Sequence, residues 1–134
     1  MKQAKEVENL VSVFEKYQEV KLVYLFGSRA TGKTGPLSDY DFAIYLDEKS
    51  SVKRFDIKLK LLAEISLKLK TDNVDLVVLN DTESPELKYN IIKDGILLLQ
   101  REPFKVVIEP QILSEYFDFH DLLLRYHLTK TWPM

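Results

Sequence analysis

The sequence contains no cysteine, and this absence excludes disulfide bonds and thiolate metal sites together. Glycine and proline are scarce, with four and five among 134 residues, and they form no linker that would divide the chain. We therefore expect one domain over residues 1–134. Apolar runs such as Ile96 to Leu99 are far shorter than a membrane-spanning helix, and the N-terminus lacks the pattern of a signal peptide. These absences predict a soluble, cytoplasmic protein without a membrane partner.

An excess of positive charge is also lacking. The chain has 19 basic and 21 acidic residues, which gives a formal net charge of −2. Proteins that bind duplex DNA or tRNA usually have an excess of basic residues. We therefore expect no direct binding of nucleic acid.

The apolar pattern of the chain predicts alternating helices and strands. The predicted strands are Val20 to Phe26, Asp39 to Leu46, Val74 to Leu79 and Ile96 to Gln100, with Val106 to Ile108 as a short extended stretch. A long helix between the second and third strands is expected to bury Phe55, Leu59, Leu62, Ile65 and Leu69. Another helix begins near Pro85 and ends at Gly95, and a last one spans about 112–128.

This order implies a mixed β-sheet flanked by helices, in the α/β or α+β class. The link between the first two strands is too short for a crossover with a full helix, so these strands are expected to be antiparallel neighbours. A full helix links the second and third strands, which suits a parallel crossover. The end of the first strand and the starts of the other two should then meet at one edge.

Three carboxylates are expected at that edge. Asp39 and Asp41 are two apart on a strand, so their side chains point to the same face. Asp75 is a charged residue inside an apolar strand, where burial of a lone carboxylate is costly. Three such groups repel each other unless a divalent cation neutralises them. Oxygen ligands of this kind favour Mg²⁺ or Mn²⁺.

The first strand ends at Gly27 and Ser28. Glycine allows a close approach of the backbone, so the N–H groups here and the Ser28 hydroxyl could bind a polyphosphate. Arg29 could either contact the same phosphates or lie in solvent in the turn. Carboxylate-held metals beside a phosphate site are what in-line nucleotidyl transfer requires.

These residues also resemble a known signature. Leu25-Phe26-Gly27-Ser28-Arg29 precedes Asp39-Tyr40-Asp41, and Asp75 follows on a later strand. This arrangement is similar to the motif of the polymerase-β-like nucleotidyltransferase superfamily. The resemblance implies that superfamily's fold, with Asp39, Asp41 and Asp75 as catalytic residues and metal ligands. It also implies that Gly27, Ser28 and Arg29 bind the nucleotide.

The short chain looks most like the minimal nucleotidyltransferases (MNT), which are typically encoded beside a HEPN-domain protein and act as its antitoxin. That resemblance implies transfer of AMP from ATP to a tyrosine of the HEPN ribonuclease. Two alternatives are an antitoxin that inhibits by binding alone and an enzyme acting on a small molecule, as aminoglycoside nucleotidyltransferases do. The complete set of Ser28, Asp39, Asp41 and Asp75 argues against pure binding. The oligomeric state is left open.

The C-terminal helix is a candidate docking surface for the protein acceptor. A single stripe at helical spacing holds Leu113, Tyr116, Phe117, His120, Leu124 and His127. Phe119 and Tyr126 lie off this stripe, and contiguous exposed aromatic residues are typical of protein interfaces. The plain alternative is a helix that packs on the core and forms a homodimer.

Overall fold

A computed structural model of the protein describes residues 2–27 and 40–126, with side chains from Glu8 onward. Its helices and strands, in chain order, are α1 Lys2–Glu15, β1 Val20–Phe26, β2 Tyr40–Leu46, α2 Ser51–Leu69, β3 Val74–Val78, α3 Pro85–Asp94, β4 Ile96–Gln100 and α4 Phe104–Arg125. A short 3-10 turn, Leu79–Asp81, follows β3. In the part of the chain that is described, no helix is long and apolar enough to cross a membrane.

The sheet has the mixed topology that the connections predict. The strand order is β3-β2-β1-β4. β1 pairs antiparallel with both β2 and β4, whereas β2 and β3 are parallel. The end of β1 therefore lies beside the starts of β2 and β3. We call this the carboxylate end of the sheet, and the end where β2 and β3 finish the opposite end.

The sheet carries apolar residues on both faces. Phe42, Ile44 and Leu46 of β2 pack with α1 and α2, whereas Ala43 and Tyr45 pack with α3 and α4. This alternation is the period of two that a strand imposes on its side chains. The chain is an α+β fold with helices on both sides of one sheet, as the order of its elements predicts.

α2 begins at a serine cap and buries only part of the predicted set: Ile65 is buried as predicted, and Leu62 and Leu69 are partly buried. The Ser50 side chain accepts a hydrogen bond from the Lys53 backbone N at 3.3 Å and so caps the helix. The buried residues are Ile57, Leu61 and Ile65, at a spacing of four. The expectation that Phe55 and Leu59 are buried is wrong, since these side chains are 58% and 50% exposed. Apolar residues on two neighbouring stripes of α2 make its orientation ambiguous in the sequence.

α4 begins eight residues before the predicted start. Phe104, Ile108 and Ile112 recur every fourth residue, and all three pack against the sheet. Burial of this face overrides the strand propensity of the β-branched run, so the extended stretch predicted at Val106 to Ile108 is wrong. Pro110 lies exposed within the helix.

The predicted stripe on α4 is also only partly correct. Leu113 and Phe117 are exposed, whereas Tyr116 is partly buried and stacks on Tyr89 of α3 with ring centroids 3.9 Å apart. The helix turns so that Ile112 and Tyr116, four apart, share the inward face. His127 and the last predicted residue of this helix lie outside the described residues.

Side-chain hydrogen bonds to the backbone hold the opposite end of the sheet. The Asn80 amide accepts from the Leu46 N–H at 3.0 Å and donates to the Leu46 carbonyl at 2.8 Å, which ties the end of β2 to the turn after β3. Arg54 of α2 donates to both Asp81 carboxylate oxygens, at 2.6 and 3.1 Å. It also donates to the Glu48 carbonyl at 2.9 Å. These bonds join both strand ends to the start of α2.

Arg101 also binds backbone carbonyls, beside the start of β1 and the end of β4. Its guanidinium donates to the backbone carbonyls of Glu15, Tyr17 and Gln18 at 3.0–3.3 Å. These are carbonyls at and just after the C-terminal end of α1, where backbone acceptors lack partners within the helix. Arg101 therefore fixes α1 to the end of β4.

Candidate functional site

β1 ends in a turn that brings the backbone against an aspartate. Gly27 has φ 77°, a left-handed conformation that favours glycine. A Cβ atom at this position would collide with the Asp41 Oδ2 atom. The missing side chain at Gly27 therefore leaves the space in which the Asp41 carboxylate lies. This contact joins the end of β1 to the start of β2, as the antiparallel register of Phe26 and Asp41 requires.

Asp41 and Asp75 are direct neighbours in the sheet. They pair in register between the parallel strands β2 and β3, so both side chains leave the same face. Asp41 is partly buried, but Asp75 is exposed at the start of an edge strand. The sequence argument from burial of Asp75 is therefore wrong. What favours Asp75 as a candidate site residue is its position beside Asp41.

The other site residues predicted from the sequence are Ser28, Arg29 and Asp39, and they lie outside the described residues. The segment they belong to connects Gly27 with Tyr40, so both of its ends are at the carboxylate end of the sheet. The structure thus brings together Gly27, Asp41 and Asp75. The roles of all six residues stay predictions.

The chemistry of the site suits a hard divalent cation. Two carboxylates on adjacent strands offer oxygen ligands, which Mg²⁺ and Mn²⁺ prefer. Within residues 8–27 and 40–126, no cluster of three acidic, histidine or cysteine residues is assembled for a metal. The third predicted ligand, Asp39, falls in the part that is not described, so the described residues supply two of the three predicted ligands.

A surface groove of about 420 Å³ begins at Asp75 and follows β3. Its walls include Phe55 and Lys58 of α2 and Leu87 of α3. The sequence interpretation missed this feature because it assigned Phe55 to the core. The four-residue spacing of Ile57, Leu61 and Ile65 is the signal from which an exposed Phe55 could have been predicted.

Known proteins match this chain in sequence and in fold. Residues 8–104, more than half of the chain, match the family described as Polymerase beta, Nucleotidyltransferase. The protein adenylyltransferase MntA of Aphanizomenon flos-aquae is 32% identical over 92 residues, a match that covers 60% of this chain and 57% of the relative. The chain thus spans less than two thirds of that relative's length.

Two solved structures share the fold. One contains a tri-AMPylated Shewanella oneidensis HEPN toxin in complex with MNT antitoxin; the match has a TM-score of 0.69 and 20% identity, and covers 92% of this chain and 94% of the other. The second is a toxin–antitoxin structure with AMP-PNP, with a TM-score of 0.71 and 23% identity, covering 89% and 94%. At such identities the similarity establishes the fold alone, and it confirms the predicted one.

Proposed function

We propose that this chain, which belongs to the polymerase-β nucleotidyltransferase family, transfers AMP from ATP to a tyrosine of a HEPN-domain toxin and so acts as its antitoxin. The single observation that carries this proposal is the meeting of Gly27, Asp41 and Asp75 at one end of the sheet. The name of the MntA relative, an adenylyltransferase, supports the reaction. The HEPN toxin and the AMP-PNP in the similar structures support the partner and the nucleotide.

In this proposal the residues that follow β1 hold the nucleotide. The backbone N–H groups at Gly27 and Ser28, the Ser28 hydroxyl and the Arg29 guanidinium bind the triphosphate. Backbone N–H groups and a cationic side chain stabilise phosphate oxygens strongly where water is displaced. The turn at Gly27 suits this role because no Cβ atom fills the space beside Asp41.

The three carboxylates serve the reacting groups. Asp39, Asp41 and Asp75 would hold Mg²⁺ or Mn²⁺, which when bound neutralises charge on the phosphates and favours ionisation of the acceptor hydroxyl. We assign Asp75 as the general base that accepts the proton of that hydroxyl. The acceptor oxygen then forms a bond to the α-phosphorus, the bond from that phosphorus to the bridging oxygen breaks, and pyrophosphate leaves. An exposed carboxylate on an edge strand is accessible to a large acceptor.

The exposed side of α4 is proposed to help hold the partner. Phe117 and Tyr126 are 57% and 61% exposed at this helix, and aromatic side chains of this kind often anchor interfaces. Phe119, which the sequence also suggested for this surface, is only partly exposed. Tyr116 is excluded from this role, because it stacks on Tyr89 within the chain. We also propose a cytoplasmic location, because the proposed reaction consumes ATP and acts on a ribonuclease inside the cell.

A transfer assay with a purified HEPN partner tests the proposal and its alternatives. The chain is incubated with Mg²⁺, either the partner or an aminoglycoside, and each of the four NTPs labelled at the α-phosphate. We expect label on the partner with ATP, and loss of that label when the acceptor tyrosine is replaced by Phe. Label on an aminoglycoside instead would favour the small-molecule enzyme. Tight binding and toxin inhibition without transfer would favour the antitoxin that acts by binding alone.

A further inference from the structure

The groove along β3 has the features of a binding site for an extended peptide. β3 is the edge strand of the sheet and pairs with β2 on one side only, as far as residues 40–126 show. The N–H and C=O groups on the outer side of an edge strand can bind another chain in an extended conformation. α2 and the start of α3 form the two walls of the groove.

The wall formed by α2 is apolar where it meets solvent. Phe55 lines the groove, and Val52 and Leu59 lie three residues before it and four after it on the same helix. All three are at least half exposed, although the helix has a separate buried face. Exposed apolar residues that form a continuous strip are typical of a protein interface.

The groove leads to the proposed catalytic residues. Asp75 lines one end of it, and Thr82 lines the other. From Asp75 to Val78 an extended chain rises about 10 Å, so a bound segment of three or four residues would cover the length of β3 in the groove, which Phe55 also lines. The acceptor of a transfer reaction must place one hydroxyl at that end.

The charged residues that line the groove are Lys58, Asp75 and Asp81, and Asp81 pairs with Arg54 at 2.6 Å. Lys58 favours an acidic residue of the occupant beside it. Lys58 lines the groove and forms no ion pair among the described residues, whereas Lys60 on the same helix pairs with Asp56 at 2.9 Å. A positive side chain on the wall of an interface selects partners with a complementary charge.

We propose that the groove binds the acceptor segment of the partner protein in an extended conformation along β3. The hydroxyl-bearing residue lies at Asp75, an acidic residue faces Lys58, and an apolar residue packs on Phe55. This inference rests on the proposed function, because it assumes that the acceptor is a protein. It adds the chemistry by which the chain recognises the acceptor: a tyrosine with an acidic and an apolar residue within a few positions of it.

Matched variants of α2 test the groove. Phe55→Ser removes the apolar contact and Lys58→Glu reverses the charge. Leu67→Ser and Lys53→Glu make the same changes at exposed positions of α2 that do not line the groove. The steady-state KM for the HEPN partner is measured for all four, with Mg²⁺-ATP affinity of each isolated chain and thermal melts as readouts of nucleotide binding and folding.

We expect Phe55→Ser and Lys58→Glu each to raise the KM for the partner about tenfold, with ATP affinity and melting temperature close to those of the two controls. If both groove variants keep a KM for the partner within twofold of wild type, the proposal that the groove binds the acceptor is wrong. The proposed transfer reaction would still stand. If the wild-type chain transfers nothing, the proposed function fails. The affinity of each chain for the partner, measured by calorimetry, then tests whether the groove binds the partner. Affinity weakened by the groove variants alone would support it, and unchanged affinity would overturn it.

Discussion

The two ends of the β-sheet are built from opposite kinds of interaction. At the carboxylate end, Asp41 and Asp75 lie side by side, and a glycine leaves space against one of them. At the opposite end, Asn80 binds the backbone of Leu46, and Arg54 binds the Glu48 carbonyl and the Asp81 carboxylate. One end gathers like charges, and the other joins helices and strands together.

This difference separates function from stability along the same strands. Neighbouring carboxylates repel each other in the absence of a cation and so cost stability. The hydrogen bonds at the opposite end can offset that cost, because β2 and β3 run through both ends. A chain arranged in this way can tolerate an unfavourable charge cluster where chemistry needs it. The predicted consequence is that activity and stability respond to substitutions at different ends.

A large effect on turnover is expected from Asp75→Asn. The variant keeps the shape of the side chain but cannot accept the proton of the acceptor, so kcat should fall roughly 10²- to 10⁴-fold. ATP affinity should change little, since a base acts in the transition state. Asp72→Asn, at an exposed aspartate three residues earlier, is the matched control. An equal loss of kcat and of ATP affinity would instead assign Asp75 to nucleotide binding.

A smaller effect, on stability and not on turnover, is expected from Asn80→Ala. The substitution leaves both backbone groups of the buried Leu46 without their partner, so the free energy of unfolding should fall by about 1–3 kcal/mol. Transfer by the folded protein should be unchanged, because Asn80 lies at the far end of the strands from Asp41. Urea denaturation and kcat at a temperature well below the transition measure the two quantities. If kcat fell with stability, the two ends would not be independent.

The smallest effect is expected from the Tyr17 hydroxyl, whose contribution to the free energy of unfolding should be lost at alkaline pH. The Tyr17 hydroxyl donates to the Glu64 carboxylate at 2.7 Å, and partial burial together with this carboxylate raises the pKa of Tyr17 to about 12 from 10.0. The stabilising contribution of Tyr17 is therefore complete below pH 10. It is lost as the pH rises from 10 to about 12, because the unfolded chain ionises first.

Comparison with Tyr17→Phe isolates this contribution from the lysines that titrate in the same range. The free energy of unfolding of the wild type should decline more steeply above pH 10 than that of the variant, by urea denaturation at pH 8, 10 and 11. Parallel declines would show that the Tyr17 hydroxyl contributes nothing that depends on pH.

Much of the sheet could be predicted from the sequence, because its signals are local. The short link between β1 and β2 allows only antiparallel neighbours, and the helix between β2 and β3 favours a parallel pair. These two facts were enough to bring Asp41 and Asp75 together. The orientation of a helix depends on its packing against the sheet, so it could not be predicted from the sequence as well as the strand pairing. α2 carries apolar residues on two stripes, and only contact with the sheet decides that Ile57 faces inward and Phe55 outward.

The start of α4 illustrates the same limit. Val106, Val107 and Ile108 are β-branched and precede a proline, a pattern that favours an extended chain over a helix. The helix forms there because Phe104 and Ile108 bury their side chains against the face of the sheet that holds Tyr45. That contact joins residues about sixty positions apart and leaves no local signal.

The mass of the HEPN partner after incubation with Mg²⁺-ATP tests most directly whether the carboxylate end performs the transfer. Three chains are compared: wild type, Asp41→Asn, and Asp47→Asn, which alters an exposed aspartate just beyond the opposite end of β2. We expect the partner to gain AMP with wild type and Asp47→Asn, and the rate with Asp41→Asn to fall by about three orders of magnitude while its melting temperature is equal or higher. Normal AMP transfer by a folded Asp41→Asn chain would contradict the assignment of the active site.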